Sequence, residues 1–385
     1  MSQNYIEKDL YFCPSCLAAN NLNDYNLDNL KNDFIKLSTD VDKLPLFENL
    51  CFSGGGVTTI AYLGALEVLE SLGLLKNSTR FSGSSAGAIY ALMFSLNCDF
   101  ESIRTEMMAD INPQDRYLIS ALYNAAFNKF SLYTGDVLTE RFKALINKRF
   151  DEVTPDYRKN KSTELQEYDP TFDDVYKVFG RELIITSVNL NLQKLCYFSP
   201  KLTPNMPVYL AVRMSTALPF IFEAVDFAGL SDGTVAPGKY VDGGVGNNFP
   251  LHVFHSGPNQ YIFSETSSFE KTIGLKHCDC ETYRRLADGT VPDSLESDTD
   301  NKITNFLEYA GGILETLMMM TDLAQIQLVD ALDQSHDVFF QRSVLARIPH
   351  LKIIDFNAPL QVKQDAMTIF KVQTIQYLLK LAKLV

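Results

Sequence analysis

Leu50-Cys51-Phe52-Ser53-Gly54-Gly55-Gly56 and Phe81-Ser82-Gly83-Ser84-Ser85-Ala86-Gly87 decide the fold, the second glycine turn following the first by 29 residues from Gly54 to Gly83. In each, a short apolar run passes into a glycine-marked turn. Between them Thr59–Leu75 has helical spacing and no proline, with Ile60, Leu63, Leu66, Val68, Leu69 and Leu72 over a broad face. Gly73 marks its C-terminal end, and Gly64 inside it permits close approach to a strand. A second helix, small residues first, is predicted over Ala86–Leu96. The order is strand, turn, helix, strand, turn, helix: a βαβ unit with both turns at the same edge of a sheet. A serine framed by Gly83 and Gly87 at such a turn is a candidate nucleophile, and Ser85 holds that place.

Acyl transfer also needs donors aimed at the oxygen that becomes negative. Backbone N–H groups approach that oxygen where no side chain obstructs them, and Gly54, Gly55 and Gly56 meet this need. A base is required as well. Histidine is the usual one, yet His252, His255, His277, His336 and His350 all lie outside glycine-framed turns. Asp242 follows the apolar stretch Lys239-Tyr240-Val241 and precedes Gly243-Gly244. A desolvated, oriented carboxylate can take a serine proton directly, so a Ser–Asp dyad is chemically workable.

Outside these turns the chain is more ordinary. Residues 1 to about 45 are polar, with one weak amphipathic helix through Leu27, Leu30, Phe34, Ile35 and Leu37, expected to pack on the main domain. Phe100–Arg149 is helical, with a turn at Tyr133-Thr134-Gly135, and residues 150–170 read as a loop. Leu183–Val188 is a buried strand, with Leu195–Phe198 as its neighbour. Met206–Ser215 starts a helix, and Ile273-Gly274-Leu275 is another strand. Residues 278–302 read as a mobile surface loop. Two long helices, Ile303–Leu332 and Val362–Leu384, close the chain.

Of the 385 residues 46% are hydrophobic and 21% charged, which is ordinary for a globular protein with a sizeable core. The net charge of −13 argues against general nucleic-acid binding and against passive adhesion to anionic membranes. Met1–Leu10 carry Glu7, Lys8 and Asp9 and lack an apolar signal core. A cytoplasmic protein is expected, with export by a route without a cleaved signal left open. Seven cysteines have no disulfide-framework spacing. Cys13-Pro14-Ser15-Cys16 and His277-Cys278-Asp279-Cys280 have zinc-like spacing but lie far apart in sequence, so no metal and no cofactor is expected.

With these motifs in order, the sequence resembles the patatin-like phospholipases. The triple glycine, Gly83-Ser84-Ser85-Ala86-Gly87 and Asp242-Gly243-Gly244 match the family's motifs, with Asn247, Asn248 and Pro250 following. Ala211–Pro219 through Phe222, and Thr171-Phe172 with the strand after it, are similar to further family segments. The resemblance covers about residues 47 to 275, in the family's order. It implies a three-layer α/β/α sandwich on a mostly parallel sheet with a helical C-terminal region. The expected division is an extension over 1–45, a catalytic domain over 46–275, and a mobile loop and helices over 276–385. It also implies a Ser85–Asp242 dyad with Gly54, Gly55 and Gly56 as oxyanion donors and Gly83, Gly87, Gly243 and Gly244 as framing glycines. The implied substrate is a phospholipid or lysophospholipid, met at a membrane surface as a peripheral protein. In one place the chain departs from the family: Thr58-Thr59 stand where the pattern has Arg or Lys and then Gly.

Two rivals accompany this reading. One is an α/β-hydrolase triad with His252 as base. The other is a conditionally active or inactive regulator that needs a protein activator. Membrane contact has two candidate surfaces, Leu314–Leu323 around Met318-Met319-Met320 and the helix Val362–Leu384. For the second, packing on the core is the expected state.

Overall fold

Leu50, Phe52, Phe81, Leu183 and Ile185 turn to one face of a sheet, and Cys51 and Ile184 turn to the other. Strands apolar on both faces need cover on both, and the chain supplies helices to each. The computed structural model describes residues 14–109, 131–163, 167–255, 269–278, 303, 306–333 and 338–384. The strands are β1 (Asn49–Phe52), β2 (Arg80–Gly83), β3 (Ser131–Tyr133), β4 (Glu182–Asn189), β5 (Lys194–Phe198), β6 (Phe220–Phe222), β7 (Val225–Phe227), β8 (Gly238–Asp242), β9 (Thr272–His277) and β10 (Ser343–Ala346). Among the described residues the main sheet runs β10-β9-β1-β2-β4-β8-β7, with β5 also paired to β4. β10, β9, β1, β2 and β4 are parallel, while β5, β8 and β7 are antiparallel additions. β3 and β6 form a small separate parallel pair.

The register of β4 places the functional residues. Ile185 pairs with Gly83 on one side and Phe198 on the other, and Ser187 pairs with Asp242 and Cys196. β2 and β8 therefore share one edge of β4. They run toward each other, and their C-terminal ends stop two positions apart along that edge.

Helices Tyr62–Ser71, Ala86–Ser95 and Leu360–Leu384 cover the first face. Phe249, Leu251 and Phe254, with Val329 and Phe339, cover the second. The long C-terminal helix packs inward through Ile369, Phe370, Val372, Ile375 and Leu378, as its apolar stripe implied. Leu30 and Leu37 of the helix Leu27–Thr39 are likewise buried in the first core.

Several elements differ from the sequence reading. The expected helix from Thr59 opens as a 3-10 turn, Gly56–Ala61, and becomes α-helical at Tyr62. It ends as expected, with Gly73 left-handed (φ +67°) and the Leu74 amide reaching back to the Leu69 carbonyl. Gly64 admits a helix and not a strand: a Cβ there would stand 1.8 Å from the Met367 carbonyl oxygen. Residues 150–170 are not a simple loop, since one helix runs on to Val153 and another spans Tyr157–Lys161. Buried Arg158 pairs there with Asp151 and Glu167, and Asp174 collects Tyr157, Lys161 and Tyr168, which gives a charged stretch internal partners. β10 adds a strand from beyond the expected catalytic boundary at 275. The stretch read as a mobile loop, 278–302, lies outside the described residues except Cys278.

Candidate active site

Each candidate residue sits where a strand ends. β2 stops at Gly83, and Ser85 turns the chain into the helix Ala86–Ser95 with φ +53° and ψ −130°. A left-handed φ on a serine costs about 1–3 kcal/mol and persists only where its surroundings fix it. Here the Ser85 amide donates to Ser215 Oγ at 2.9 Å, and the Gly87 amide donates to the Ser84 carbonyl at 2.8 Å. The framing glycines are required sterically. A Cβ on Gly83 would lie 2.3 Å from the Gly87 carbonyl oxygen, and one on Gly87 would lie 2.2 Å from that of Phe52.

β8 brings Asp242 from the opposite direction. Its amide donates to the Ala217 carbonyl, and the Gly243 amide donates to that of Ser215, so one segment anchors both turns. Ser85 Oγ donates to Asp242 Oδ2 at 2.6 Å, and the Gly244 amide donates to Oδ1 at 2.7 Å. Asp242 has no solvent exposure, and Ser85 retains 6%. Burial pushes the Asp242 carboxyl up to about 7, against the opposing pull of the bonds from Ser85 and Gly244.

The triple glycine lies beside them, and its three amides are not equivalent. Gly54 donates to the Asn248 carbonyl at 3.0 Å, whereas no acceptor for the Gly55 and Gly56 amides is found among the described residues. The Gly54 amide is thus engaged within the fold, in contrast to those of its two neighbours. Thr58, buried, donates its hydroxyl to the Gly55 carbonyl at 2.8 Å, and Thr59 donates its own to the Gly56 carbonyl at 2.8 Å. The two threonines that depart from the family pattern thus tie back the carbonyls of the glycine loop. Gly56 (φ +53°) and Ser85 line a narrow cavity of about 90 Å³ whose walls include Ile60, Ile89, Leu138 and Phe222.

His252 is not brought to the serine. Its Nε2 lies 3.3 Å from the Tyr197 hydroxyl, and burial holds its pKa down at about 4. His277 packs against Gly55, where a Cβ would stand 2.1 Å from its Cε1, and burial first, then Lys276, lower its pKa to about 3. Sequence reasoning assigned no role to Ser215 or Asn248. Both lie in segments quoted for the resemblance, but their hydrogen bonds cross between turns, which no local spacing records. Asn248 donates to Ser53 Oγ and to the Gly54 carbonyl, each at 3.3 Å, joining the loop after Asp242 to the glycine loop. Of the zinc-like clusters, Cys13, Asp279 and Cys280 lie outside the described residues, as does the Cys16 side chain.

Known proteins resemble this chain to different extents. The chain is 27% identical over 323 residues to uncharacterized protein R571 of Acanthamoeba polyphaga mimivirus, covering 82% of this chain and 89% of that protein. It is 25% identical over 233 residues to probable lipid hydrolase 463L of Invertebrate iridescent virus 6, covering 58% and 71%. Among solved structures, VipD from Legionella pneumophila aligns over 87% of this chain and 67% of its own, with 14% identity and a TM-score of 0.48. A family model for patatin-like phospholipases matches residues 50–255, which is more than half of the chain, and the protein belongs to that family.

Proposed function

We propose that the protein hydrolyses acyl esters of membrane lipids, as a phospholipase A or lysophospholipase, through a Ser85–Asp242 dyad without histidine. The observation that carries this is the buried 2.6 Å hydrogen bond from Ser85 Oγ to Asp242 Oδ2 on the wall of an apolar cavity. Ser85 Oγ attacks the ester carbonyl carbon while its proton passes to Asp242 Oδ2. The Gly55 and Gly56 amides hold the oxyanion, each donor being worth about 3 kcal/mol in the transition state. Collapse expels the alcohol, which takes the proton from Asp242. Water then gives a proton to Asp242 and attacks the acyl-serine. Fatty acid leaves, and Ser85 regains its hydrogen. The bond from Gly244 to Oδ1 leaves Oδ2 for the serine throughout.

Fatty-acid release from phospholipids, lysophospholipids and neutral glycerides tests this. Ser85→Ala and Asp242→Asn, each still folded, are expected to lose roughly 10³-fold or more in kcat. Wild-type rates in either variant would remove the dyad. Activity appearing only after addition of cell lysate would favour the second reading, a hydrolase gated by a protein activator.

A further inference from the structure

Strand β9 ends against the glycine loop and holds it from both faces of the sheet. It runs parallel to β1 with Leu275 beside Phe52, and the Ser53 amide donates to the Leu275 carbonyl at 3.0 Å. The next two side chains of β9 point to opposite faces, as strand geometry requires. Lys276 goes to one face, where it pairs with Asp322 of the helix Phe306–Asp333 and donates to Ser53 Oγ at 3.5 Å. His277 goes to the other and lies against Gly55, its Cε1 and Nδ1 standing 2.1 Å and 2.6 Å from where a Gly55 Cβ would be. The Tyr62 hydroxyl joins strand end and loop, accepting from the His277 amide at 3.4 Å and donating to the Ser53 carbonyl at 3.2 Å.

His277 takes no part in the chemistry proposed for Ser85 and Asp242. Its Nδ1 is buried and has no hydrogen-bond partner among the described residues, so that atom acts on the loop by contact alone. Burial, and then Lys276, keeps the imidazole uncharged at neutral pH, so the ring brings shape and not charge. Thr58 completes the enclosure. Its Oγ1 would stand 2.7 Å from the same Gly55 Cβ, and its hydroxyl holds the Gly55 carbonyl at 2.8 Å. Ring and hydroxyl together leave the Gly55 peptide little room to turn, and that peptide carries one of the two amides proposed to hold the oxyanion. His277 lies beyond residues 50–255, which the family model matches, so this support comes from outside the matched segment.

We propose that His277 is a positioning residue for acyl transfer: its ring backs the Gly55 peptide and keeps the Gly55 amide aimed at the developing oxyanion. This rests on the acyl-hydrolase reading of Ser85, and the test separates the two. Full-length wild type, His277→Ala and His277→Phe are labelled to completion with an alkyl fluorophosphonate, which counts competent Ser85. Unlabelled samples are assayed on p-nitrophenyl butyrate, and kcat is taken per competent site. His277→Ala is expected to keep its KM within about twofold and its pH midpoint near 7, while kcat per site falls about ten- to a hundredfold, as for a displaced oxyanion donor. His277→Phe restores a ring and is expected to recover most of that rate. A merely structural role would lower the number of competent sites and leave the rate of each unchanged, and that result would overturn the proposal. A shifted pH midpoint, or a phenylalanine variant no faster than the alanine one, would overturn it too. If His277→Ala does not fold, His277→Leu takes its place, and a wild-type rate per site in that variant would overturn the proposal as well. Wild-type protein that hydrolyses the ester and labels at Ser85 keeps the hydrolase reading in each of these cases. Its failure to do both would remove that reading and the role of His277 with it.

Discussion

Asp242 is a carboxyl without solvent, and its titration near 7 makes two signed predictions. As the proposed base it must be ionised, so kcat/KM on a soluble ester is expected to rise about tenfold per pH unit below 7 and to level above it. A flat profile from pH 5 to 8 would contradict this. For stability the sign is opposite. An unfolded aspartate loses its proton near pH 4, while the folded one keeps it to about 7. The stabilising contribution of the protonated site is complete below about pH 4 and is lost as pH rises toward 7, on the order of 4 kcal/mol. Asp242→Asn is therefore expected to melt above the wild type at pH 8 and to converge with it near pH 4, as thermal unfolding would read. Thr58 carries a third prediction. Thr58→Val keeps the shape but removes the hydroxyl bond to the Gly55 carbonyl, costing about 1–2 kcal/mol and several-fold in kcat. Unchanged kcat would mean that the glycine loop holds its shape without that bond. The placement of Ser85, Asp242 and the glycines at turns was legible in the sequence because turns that need glycine write it locally. The unequal use of Gly54, Gly55 and Gly56 was not, because it depends on a carbonyl 194 residues away at Asn248.

At the scale of elements, the site exists because β2 and β8 converge on one edge of β4. That convergence needs tight turns at both ends, so the framing glycines act through packing as much as through chemistry. Gly87→Ala drives a methyl into the Phe52 and Ser53 carbonyls, and a loss of about 3 kcal/mol or more is expected in chemical denaturation. Native stability in the Gly87→Ala variant would show that the helix Ala86–Ser95 can withdraw from β1. The βαβ unit, β4, β5 and β9 were readable as apolar runs of the right length. β3, β6, β7 and β10 were not, being three or four residues each with no alternation to detect. The antiparallel approach of β8 also escaped, because strand direction is a tertiary choice that Lys239-Tyr240-Val241 does not encode.

For the whole molecule, the C-terminal helix is part of the first core and not an appendage. Lys371 and Glu67 form a buried ion pair at 2.9 Å between helices 304 residues apart. Lys371→Met leaves Glu67 buried without its cation, and about 3–5 kcal/mol of stability is expected to go with it. A melting temperature within a degree or two of the wild type would show that the pair is dispensable. Membrane contact through this helix would require it to leave that core. On the helix Phe306–Asp333, Tyr309, Leu317 and Met320 are exposed while Met318 is turned in, with its Cε placed 2.9 Å from where a Gly244 Cβ would stand. No helix among the described residues is long and apolar enough to cross a membrane.

The proposed activation of Ser85 by Asp242 is open to one direct measurement: the rate and site of labelling by an alkyl fluorophosphonate, read by mass spectrometry from pH 5 to 8. A single adduct on Ser85 is predicted, forming faster as pH rises through about 7 and slowed by orders of magnitude in Asp242→Asn. Labelling elsewhere, or on Ser85 at a rate indifferent to both pH and the Asp242 substitution, would contradict the dyad.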